Sequence, residues 1–359
     1  MDIKAATASY ESWVAKQTTL IPADIDLKHT QMASAVFPFL RATFYRWMQR
    51  WPEVCPSLTA APKVLAVGDL HVENFGTWRD SEGRLIWGIN DFDEAYSLPY
   101  TLDLVRLATS ANFAIMINAL SIAPKDACKA IVSGYADGLQ SGGCPFVLAE
   151  KHKGLRRLAM GELRDPEHFW VKLKSLPDCG HDVPADVLAR VLDCMPAPGL
   201  NYRLATRVAG LGSLGRMRIV AVAEWAGGLV ARETKVLVGS GCAWASGETE
   251  GGEILYDKIV QGAVRCSDPF LRFKDRWVVR RLAPDCSRVE LSSLPSERDE
   301  TRLLHAMGFE TANVHLGTKE AAKAVSDDLA LRSDGWLLEA CKEMTAATKQ
   351  DWEAWAGKS

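Results

Sequence analysis

The chain has 359 residues, a formal net charge of −3, and 48% hydrophobic and 24% charged side chains. Its length accommodates one large or two modest domains, and its small negative charge gives no reason to expect nucleic acid or an anionic membrane as a partner. The sequence has no apolar run of membrane-spanning length and no signal-peptide pattern at its start, and its nine cysteines include no C-x-x-C pair. We therefore expect a cytoplasmic protein with reduced thiols and no membrane segment.

The first predicted elements are a helix and two short strands. The apolar spacing predicts a helix over Gln31–Trp51, which Pro38 could break. Val64–Val67 and Leu85–Ile89 each have the length and composition of a buried strand. If these two strands pair with each other, the polar loops that follow them meet at a shared edge.

Acidic and amide side chains follow both strands. The first loop carries Asp69, His71, Glu73 and Asn74, and the second carries Asn90, Asp91, Asp93 and Glu94. Carboxylates gathered at one edge repel each other unless a cation neutralises them. Oxygen ligands with an amide and no thiol suit Mg²⁺ best. The pattern therefore predicts a magnesium site, with an ordinary acidic loop between two strands as the alternative.

Helices are predicted for most of the next hundred residues. A strongly apolar helix begins near Thr101, a predicted N-cap, with Asp103 in its first turn. Helical patterns recur over Ala127–Leu139 and Pro184–Leu192. The turn-rich segment Pro196–Asn201 is the best domain boundary, because the chain changes from helical to strand patterns there.

The strand-rich part opens with the pattern G-x-G-x-x-G, formed by Gly210, Gly212 and Gly215 and including Ser213. Dinucleotide-binding folds use the same letters, but there the glycine loop opens a helix. Here an apolar strand, Ile219–Trp225, follows, and then a turn and a third strand. A glycine loop between two strands can cover phosphates with its backbone N–H groups.

The end of the chain is predicted to contain a strand pair and three helices. The strand pair turns at Lys274–Asp275. Asn313 and His315 lie in an apolar segment after the first of these helices, where we expect them to satisfy hydrogen bonds in the core. The three helices span Glu297–Met307, Glu320–Leu331 and Gly335–Ala356.

The two acidic loops resemble the catalytic and metal-binding loops of protein-kinase-like phosphotransferases. Asp69 and Asn74 are five residues apart, and Asp91-Phe92-Asp93 stands where protein kinases have Asp-Phe-Gly. His71 and the second aspartate of that triplet are closer to the aminoglycoside and choline kinases. The resemblance implies that Asp69 orients or deprotonates an acceptor hydroxyl, that Asn74 and Asp91 bind Mg²⁺, and that Asp93 binds a second ion.

The glycine loop extends this resemblance to ATP binding. It implies that Gly210, Gly212, Ser213 and Gly215 cover the phosphates of ATP, and that Lys235, on the third strand, pairs with the α- and β-phosphates. A glutamate of the following helix is then expected to position the lysine. Glu253 is the predicted partner of Lys235, with Glu248 and Glu250 as alternatives.

The order of these motifs differs from that of an ordinary kinase, in which the glycine loop precedes the catalytic loop. The resemblance therefore implies a circularly permuted, protein-kinase-like α+β fold with two lobes. Residues 1–200 are expected to form the core of a helical large lobe, 201–285 an antiparallel-sheet small lobe, and 286–359 helices that complete the large lobe. In the aminoglycoside group an aspartate at the start of a helix binds the backbone of the catalytic loop, a role that the resemblance gives to Asp103.

Together the motifs G-D-x-H-x-x-N-F-G, N-D-F-D-E and G-x-G-S-x-G resemble an uncharacterised bacterial family catalogued as domain of unknown function 2252. This resemblance runs from about Phe37 to His315. Val67, Val72 and Glu73 depart from the pattern of the aminoglycoside kinases, and these departures leave the acceptor open.

We expect an ATP- and Mg²⁺-dependent phosphotransferase that acts on a hydroxyl group of a small molecule or a protein. Three alternatives remain. The first is nucleotidyl transfer on the same fold, with ATP bound in reverse so that AMP is moved. The second is a metallophosphoesterase, which has a similar Gly-Asp-Leu-His motif but needs further histidine ligands. The third is a non-catalytic nucleotide-binding module.

Overall fold

The computed structural model describes residues 1–148, 152–159, 165–179, 183–286, 288 and 299–357. These residues form a mixed α+β architecture with antiparallel sheets, as the α+β part of the predicted fold class requires. Among the helices of these ranges, none combines the length and the apolar character that crossing a membrane demands.

Four helices precede the first strand. The predicted helix over Gln31–Trp51 is divided at Ala35 and Thr43, which have extended or irregular backbone angles. Pro38 does not break it, because it lies in the first turn of a helix, where backbone N–H groups have no intrahelical acceptor. The four helices are α1 (Ile3–Ala15), α2 (Pro22–Ser34), α3 (Val36–Ala42) and α4 (Phe44–Val54).

Two small sheets carry the acidic loops. The strands are β1 (Lys63–Ala66), β2 (Phe75–Arg79), β3 (Leu85–Ile89), β4 (Tyr96–Pro99) and β5 (Phe146–Val147). The two apolar runs, which could have paired with each other, do not do so. Instead β1 pairs with β4, and β3 lies between β2 and β5. The short turn between β2 and β3 gives a local hairpin, which closes at a lower entropic cost than a pairing across the whole segment.

A helical layer packs behind these sheets. The predicted N-cap Thr101 is wrong, because the helix already begins at Tyr100 and the Thr101 hydroxyl donates to the carbonyl of Leu58. The segment from Gly308 to His315, which was predicted to follow a helix that ends at Met307, is itself part of that helix. Gly308 lets two helices of this layer approach closely, since a Cβ there would lie 2.1 Å from the carbonyl oxygen of Ile131. The helices are α5 (Tyr100–Met116), α6 (Pro124–Ser141), α12 (Glu300–His315), α13 (Ala322–Leu331) and α14 (Trp336–Ala356).

The strand-rich part forms a separate five-stranded antiparallel sheet in the order β6-β7-β8-β10-β9. Lys235 lies on the third strand, as predicted, and the predicted last strand pair is present. The strands are β6 (Tyr202–Thr206), β7 (Arg218–Trp225), β8 (Gly228–Val236), β9 (Arg272–Lys274) and β10 (Trp277–Leu282).

Helices cover both faces of this sheet. Leu173 of α8 packs on the face that carries Val220 and Leu282, and Val191 of α9 packs on the opposite face. The loop between β6 and β7 is the glycine motif. The remaining helices are α7 (Lys153–Ala159), α8 (Pro166–Lys174), α9 (Ala185–Leu192), α10 (Gly241–Ala245) and α11 (Tyr256–Gly262).

Candidate functional site

Asn74 joins the two acidic loops. Its side-chain Nδ2 donates to the carbonyl oxygen of Asp69 at 3.2 Å and to that of Asp91 at 3.0 Å. The loops therefore meet, although the strands before them do not pair. The Oδ1 atom of Asn74 is buried and accepts no hydrogen bond from any described residue. Because a buried oxygen without a partner is costly, this atom has the character of a ligand oxygen.

Asp103 fixes the start of the first loop. Its two carboxylate oxygens accept hydrogen bonds from the backbone N–H groups of Val67 and Gly68 at 2.7 and 2.9 Å. This confirms the role that the kinase resemblance gave to Asp103. His315 contacts the same carboxylate at 3.0 Å, and Asn313 bonds to the backbone of Cys144, so both residues satisfy core hydrogen bonds as expected.

Asp69 is held by a buried arginine of α5. Arg106 donates from Nε at 2.9 Å and from Nη2 at 2.5 Å to the same oxygen, Oδ1, of Asp69. The arginine is fully buried and lies over the rings of Phe44 and Trp47. Burial raises the pKa of Asp69, although the charge of Arg106 opposes the shift. One carboxylate oxygen is thus committed, and Oδ2 is left for other contacts.

Lys235 of β8 reaches the second acidic loop from the five-stranded sheet. Its Nζ lies 2.6 Å from Asp93 Oδ1 and 3.2 Å from Asp91 Oδ1. Burial alone would raise the pKa of Asp91, but the charge of Lys235, a hydrogen bond with Asp93 and the charges of Arg280 and Arg288 together lower it. Burial and the carboxylate of Asp91 raise the pKa of Asp93. Two segments more than 140 residues apart in the sequence therefore meet at one pair of carboxylates.

The structure does not bring Glu253 to Lys235, so that prediction is wrong. Glu253 is exposed in the loop before α11 and does not lie on a helix. Among the described residues, the ion pairs of Lys235 go to Asp91 and Asp93. These two carboxylates already neutralise the lysine, so a glutamate from the helix is not needed to position it.

The glycine loop covers the acidic loops. Gly210 and Gly215 have φ angles of 75° and 91°, which side-chain-bearing residues rarely adopt, and a 3₁₀ turn spans Leu211–Ser213. A Cβ added at Gly212 would lie 3.5 Å from Asp69 Oδ2. Ser213 bonds within its own part of the sheet, donating to the carbonyl of Gly210 and accepting from Arg218. The backbone of the loop, and not the Ser213 hydroxyl, therefore faces the carboxylates.

Helix α2 supports this loop from behind. The N–H of Ile21 donates to the carbonyl of Gly215 at 2.8 Å, and Lys28 Nζ lies 3.4 Å from the carbonyl oxygen of Gly212. Lys28 is buried, and desolvation lowers its pKa to about 8. The position of the glycine loop is thus linked to an element from the beginning of the chain.

Two cavities meet at the acidic loops. The smaller, of about 40 Å³, lies between the glycine loop and the carboxylates. The larger, of about 570 Å³, lies between the five-stranded sheet, α8 and the β2–β3 hairpin, and its volume is typical of a small-molecule site. Both cavities are lined by Asn74, Asp91, Gly210 and Arg288.

A second buried charge cluster lies at the larger cavity, centred on Glu233 of β8. Its Oε2 accepts from Arg207 Nη1 at 2.5 Å, and its Oε1 accepts from Arg218 Nη1 and Arg280 Nη2, both at 2.7 Å. Glu233 is 1% exposed, and although its burial opposes the shift, the arginines lower its pKa well below the ordinary value. The described cluster thus contains three positive charges and one negative charge.

Sequence reasoning missed Arg106 and Glu233, although each had a positional signal. Arg106 follows Asp103 by three residues on one helix, so both side chains point to the same side, toward the first acidic loop. Glu233 precedes Lys235 by two residues on one strand, which places both on the same face of the sheet. His71 is also buried here, and desolvation lowers its pKa well below the ordinary value, so its imidazole is neutral.

The donor set suits a hard cation, but it is not built from acidic residues alone. Within the described ranges, no three His, Cys, Asp or Glu side chains are arranged to hold a metal ion. The predicted set combines the carboxylates of Asp91 and Asp93 with the free Oδ1 of Asn74. Mg²⁺ is commonly bound by one or two carboxylates together with substrate phosphates, so this set fits it.

Comparisons with known proteins give one match. No curated protein and no solved structure matches the chain. Residues 20–145 match the model of a family described as an uncharacterized protein conserved in bacteria, DUF2252. This segment contains both acidic loops, Asp103 and Arg106. The resemblance that the motifs predicted is therefore confirmed over residues 20–145, a segment that does not include the glycine loop.

Proposed function

We propose that the protein is an ATP- and Mg²⁺-dependent phosphotransferase that acts on a hydroxyl acceptor. One observation carries the proposal: Lys235 pairs with Asp91 and Asp93, and these two carboxylates line one cavity together with Asn74 and the glycine loop. Two acids, an amide and a backbone loop around one cavity, with a lysine paired to the two acids, are the parts that phosphoryl transfer uses. The permuted kinase-like fold belongs to the same proposal.

The metal and the lysine have complementary roles. Asn74 Oδ1 and Asp91 would bind Mg²⁺, with Asp93 available for a second ion. The metal neutralises charge on the phosphates of the donor. Lys235, which pairs with the two carboxylates in the absence of a nucleotide, would then turn its ammonium to the α- and β-phosphates. Positioning and charge neutralisation supply most of the rate enhancement in this chemistry.

Asp69 orients the acceptor. Because Oδ1 is bonded twice to Arg106, Oδ2 is the oxygen available to an acceptor hydroxyl. Oδ2 faces the backbone of Gly212, so an acceptor would reach it beneath the glycine loop. The second loop presents Asp91 to the same cavity, which supports a reaction in which the metal ligands and the orienting carboxylate surround one phosphoryl group.

The cavity volumes favour transfer of the terminal phosphoryl group over transfer of AMP. A nucleoside fits the cavity of about 570 Å³ but not the cavity of about 40 Å³ at Asp69. A nucleotide that spans the two would therefore direct its terminal phosphate to Asp69. Reversed binding would require the nucleoside to occupy the smaller space.

Transfer of label from ATP tests the proposal. The purified protein is incubated with Mg²⁺ and either γ-labelled or α-labelled ATP, together with hydroxylated metabolites or protein acceptors. We expect Mg²⁺-dependent transfer of the γ-label, lost in Lys235→Met and retained in Lys274→Met, which changes an exposed lysine of the same sheet. Transfer of the α-label would indicate nucleotidyl transfer, and ATP binding without any transfer would indicate a non-catalytic module.

A further inference from the structure

The larger cavity contains far more positive than negative charge. Among the residues that the structure describes, two acidic side chains line it, Asp91 and Asp268, against seven basic ones. Three of the arginines share the single carboxylate of Glu233, which neutralises one of them. Uncompensated charge in a buried site is costly unless an anion accompanies it. The basic residues that line the cavity are Lys172, Arg207, Arg218, Arg265, Arg280, Arg281 and Arg288.

The apolar part of the same sheet face is already covered. Leu173 and Phe169 of α8 pack against Val220, Ala231 and Leu282. A planar base is usually bound by apolar and aromatic side chains. Here α8 occupies the apolar surface of the sheet, and Arg265 lies over the rings of Trp78 and Phe92, which also line the cavity. What the sheet leaves open to the cavity is its charged part, on which Arg218 and Arg280 lie next to Lys235.

We propose that this cavity recognises its ligand by the phosphate chain, through Arg207, Arg218 and Arg280, and discriminates little between purine bases. The inference rests on the proposed function only in taking the ligand to be a nucleoside triphosphate. Arginine binds phosphate oxygens through two parallel N–H groups, and a chain of phosphates offers enough oxygens for several arginines. Glu233 keeps the three guanidinium groups together when no phosphate is bound.

Direct binding measurements test this recognition. Calorimetric titrations of the purified protein with ATP, GTP, inorganic tripolyphosphate and adenosine, each with Mg²⁺, give four dissociation constants. We expect the constants for ATP and GTP to lie within tenfold of each other, tripolyphosphate to compete with ATP, and adenosine to bind at least 100-fold more weakly than ATP. A preference for ATP over GTP above tenfold, adenosine binding closer than 100-fold to ATP, or no competition by tripolyphosphate would overturn the inference.

Two variants locate the binding. Arg280→Met is expected to weaken tripolyphosphate and ATP binding by tenfold or more and by similar factors, since both ligands use the same contacts. Arg272→Met, an exposed arginine on the neighbouring β9, is the matched control and should leave both constants unchanged. Equal binding by Arg280→Met and the control contradicts the assignment.

Arg207→Met is a second test variant that is expected to fold normally, because Arg207 lies in the loop after β6 and its side chain is 31% exposed. The same loss of tripolyphosphate binding is expected there.

Failure of this inference differs from failure of the proposed function. A protein that transfers the γ-label with strong selectivity for ATP refutes phosphate-chain recognition alone, whereas one that binds tripolyphosphate without any transfer refutes the phosphotransferase alone.

Discussion

Two charge clusters are centred on residues of β8 that are two positions apart, Glu233 and Lys235. Their net charges have opposite signs. At Lys235 one ammonium meets two carboxylates, Asp91 and Asp93. At Glu233 one carboxylate meets three guanidinium groups. The first cluster therefore has an excess of negative charge and suits a cation, and the second has an excess of positive charge and suits an anion. Two adjacent sites of opposite charge are what a magnesium–polyphosphate ligand needs.

The first prediction removes a carboxylate from the negatively charged cluster and has the largest expected effect. If the proposed function holds, Asp91→Ala should lower the rate of γ-phosphoryl transfer by about 1,000-fold, because the proposed metal ligand and its charge are lost. Labelled ATP and single-turnover kinetics measure it. Asp327→Ala, at an exposed position on α13, is the control. Near-full turnover in Asp91→Ala would end the assignment of this cluster to metal binding.

The second prediction removes the carboxylate of the positively charged cluster. Glu233→Gln should lower the free energy of unfolding by about 3–5 kcal/mol, because it removes the buried negative charge that three arginines share. Tripolyphosphate should restore more stability to this variant than to the unchanged protein. Chemical denaturation with and without tripolyphosphate measures both effects.

Glu224→Gln, at an exposed position on the adjacent strand β7, is the matched control for Glu233→Gln. It should change the free energy of unfolding little, with or without tripolyphosphate. If Glu233→Gln is no less stable than this control, the arginines are not held by the carboxylate and the contrast between the clusters is lost.

The third prediction concerns Arg106, whose single positive charge pairs with the single negative charge of Asp69. Arg106→Gln should lower the transfer rate by roughly 10- to 100-fold, the cost typical of losing a residue that orients a reacting group. Because the guanidinium opposes the burial-raised pKa of Asp69, its loss should move the acidic limb of the pH–rate profile to higher pH. A lower rate with an unmoved acidic limb would mean that Arg106 acts only on packing.

The fourth prediction, the smallest, uses a buried carboxylate outside both clusters. Burial raises the pKa of Glu310 to about 7, above its ordinary value of 4.5. Its folded state therefore binds a proton more tightly than the unfolded state, so its contribution to stability is present below pH 4.5 and is lost as the pH rises toward 7. Glu310→Gln should remove this pH dependence, with a slope of at most about 1.4 kcal/mol per pH unit.

Denaturation at a series of pH values tests the Glu310 prediction. Exposed Glu339→Gln on α14 serves as the control and should keep the pH dependence of the unchanged protein. Glu233 provides the contrast, because its pKa is lowered and its contribution is lost only as the pH falls far below 4.5. The same slope in Glu310→Gln as in the unchanged protein would show that another group titrates in this range.

The sequence predicted the residues of the candidate site better than the strand pairing and the ion pairs that hold them in position. The acids, the amide, the glycine loop and Lys235 carry recognisable spacings, and the structure brings them together around Asp91. The strand pairing was not predictable from the apolar runs, because β2 is short and follows Asn74 with no break that marks it as a strand. Local turns and hydrogen bonds decided that pairing.

The sequence also did not predict which charged groups would pair with Lys235 and Glu233. Glu253 matched the expected spacing from Lys235, but the two aspartates already neutralise this lysine. The arginines of the Glu233 cluster come from three separate strands and loops, so their convergence depends on the register of β7, β8 and β10. A single sequence contains no direct signal of that register.

The attachment of the glycine loop to α2 has a mechanical consequence. Because Ile21 and Lys28 both contact loop carbonyls, the loop cannot rise from the carboxylates without breaking these bonds or carrying α2 with it. Under the proposed function, admission of a nucleotide would therefore require these contacts to break or α2 to move. A partner that binds α2 could then change the activity without contacting the cleft.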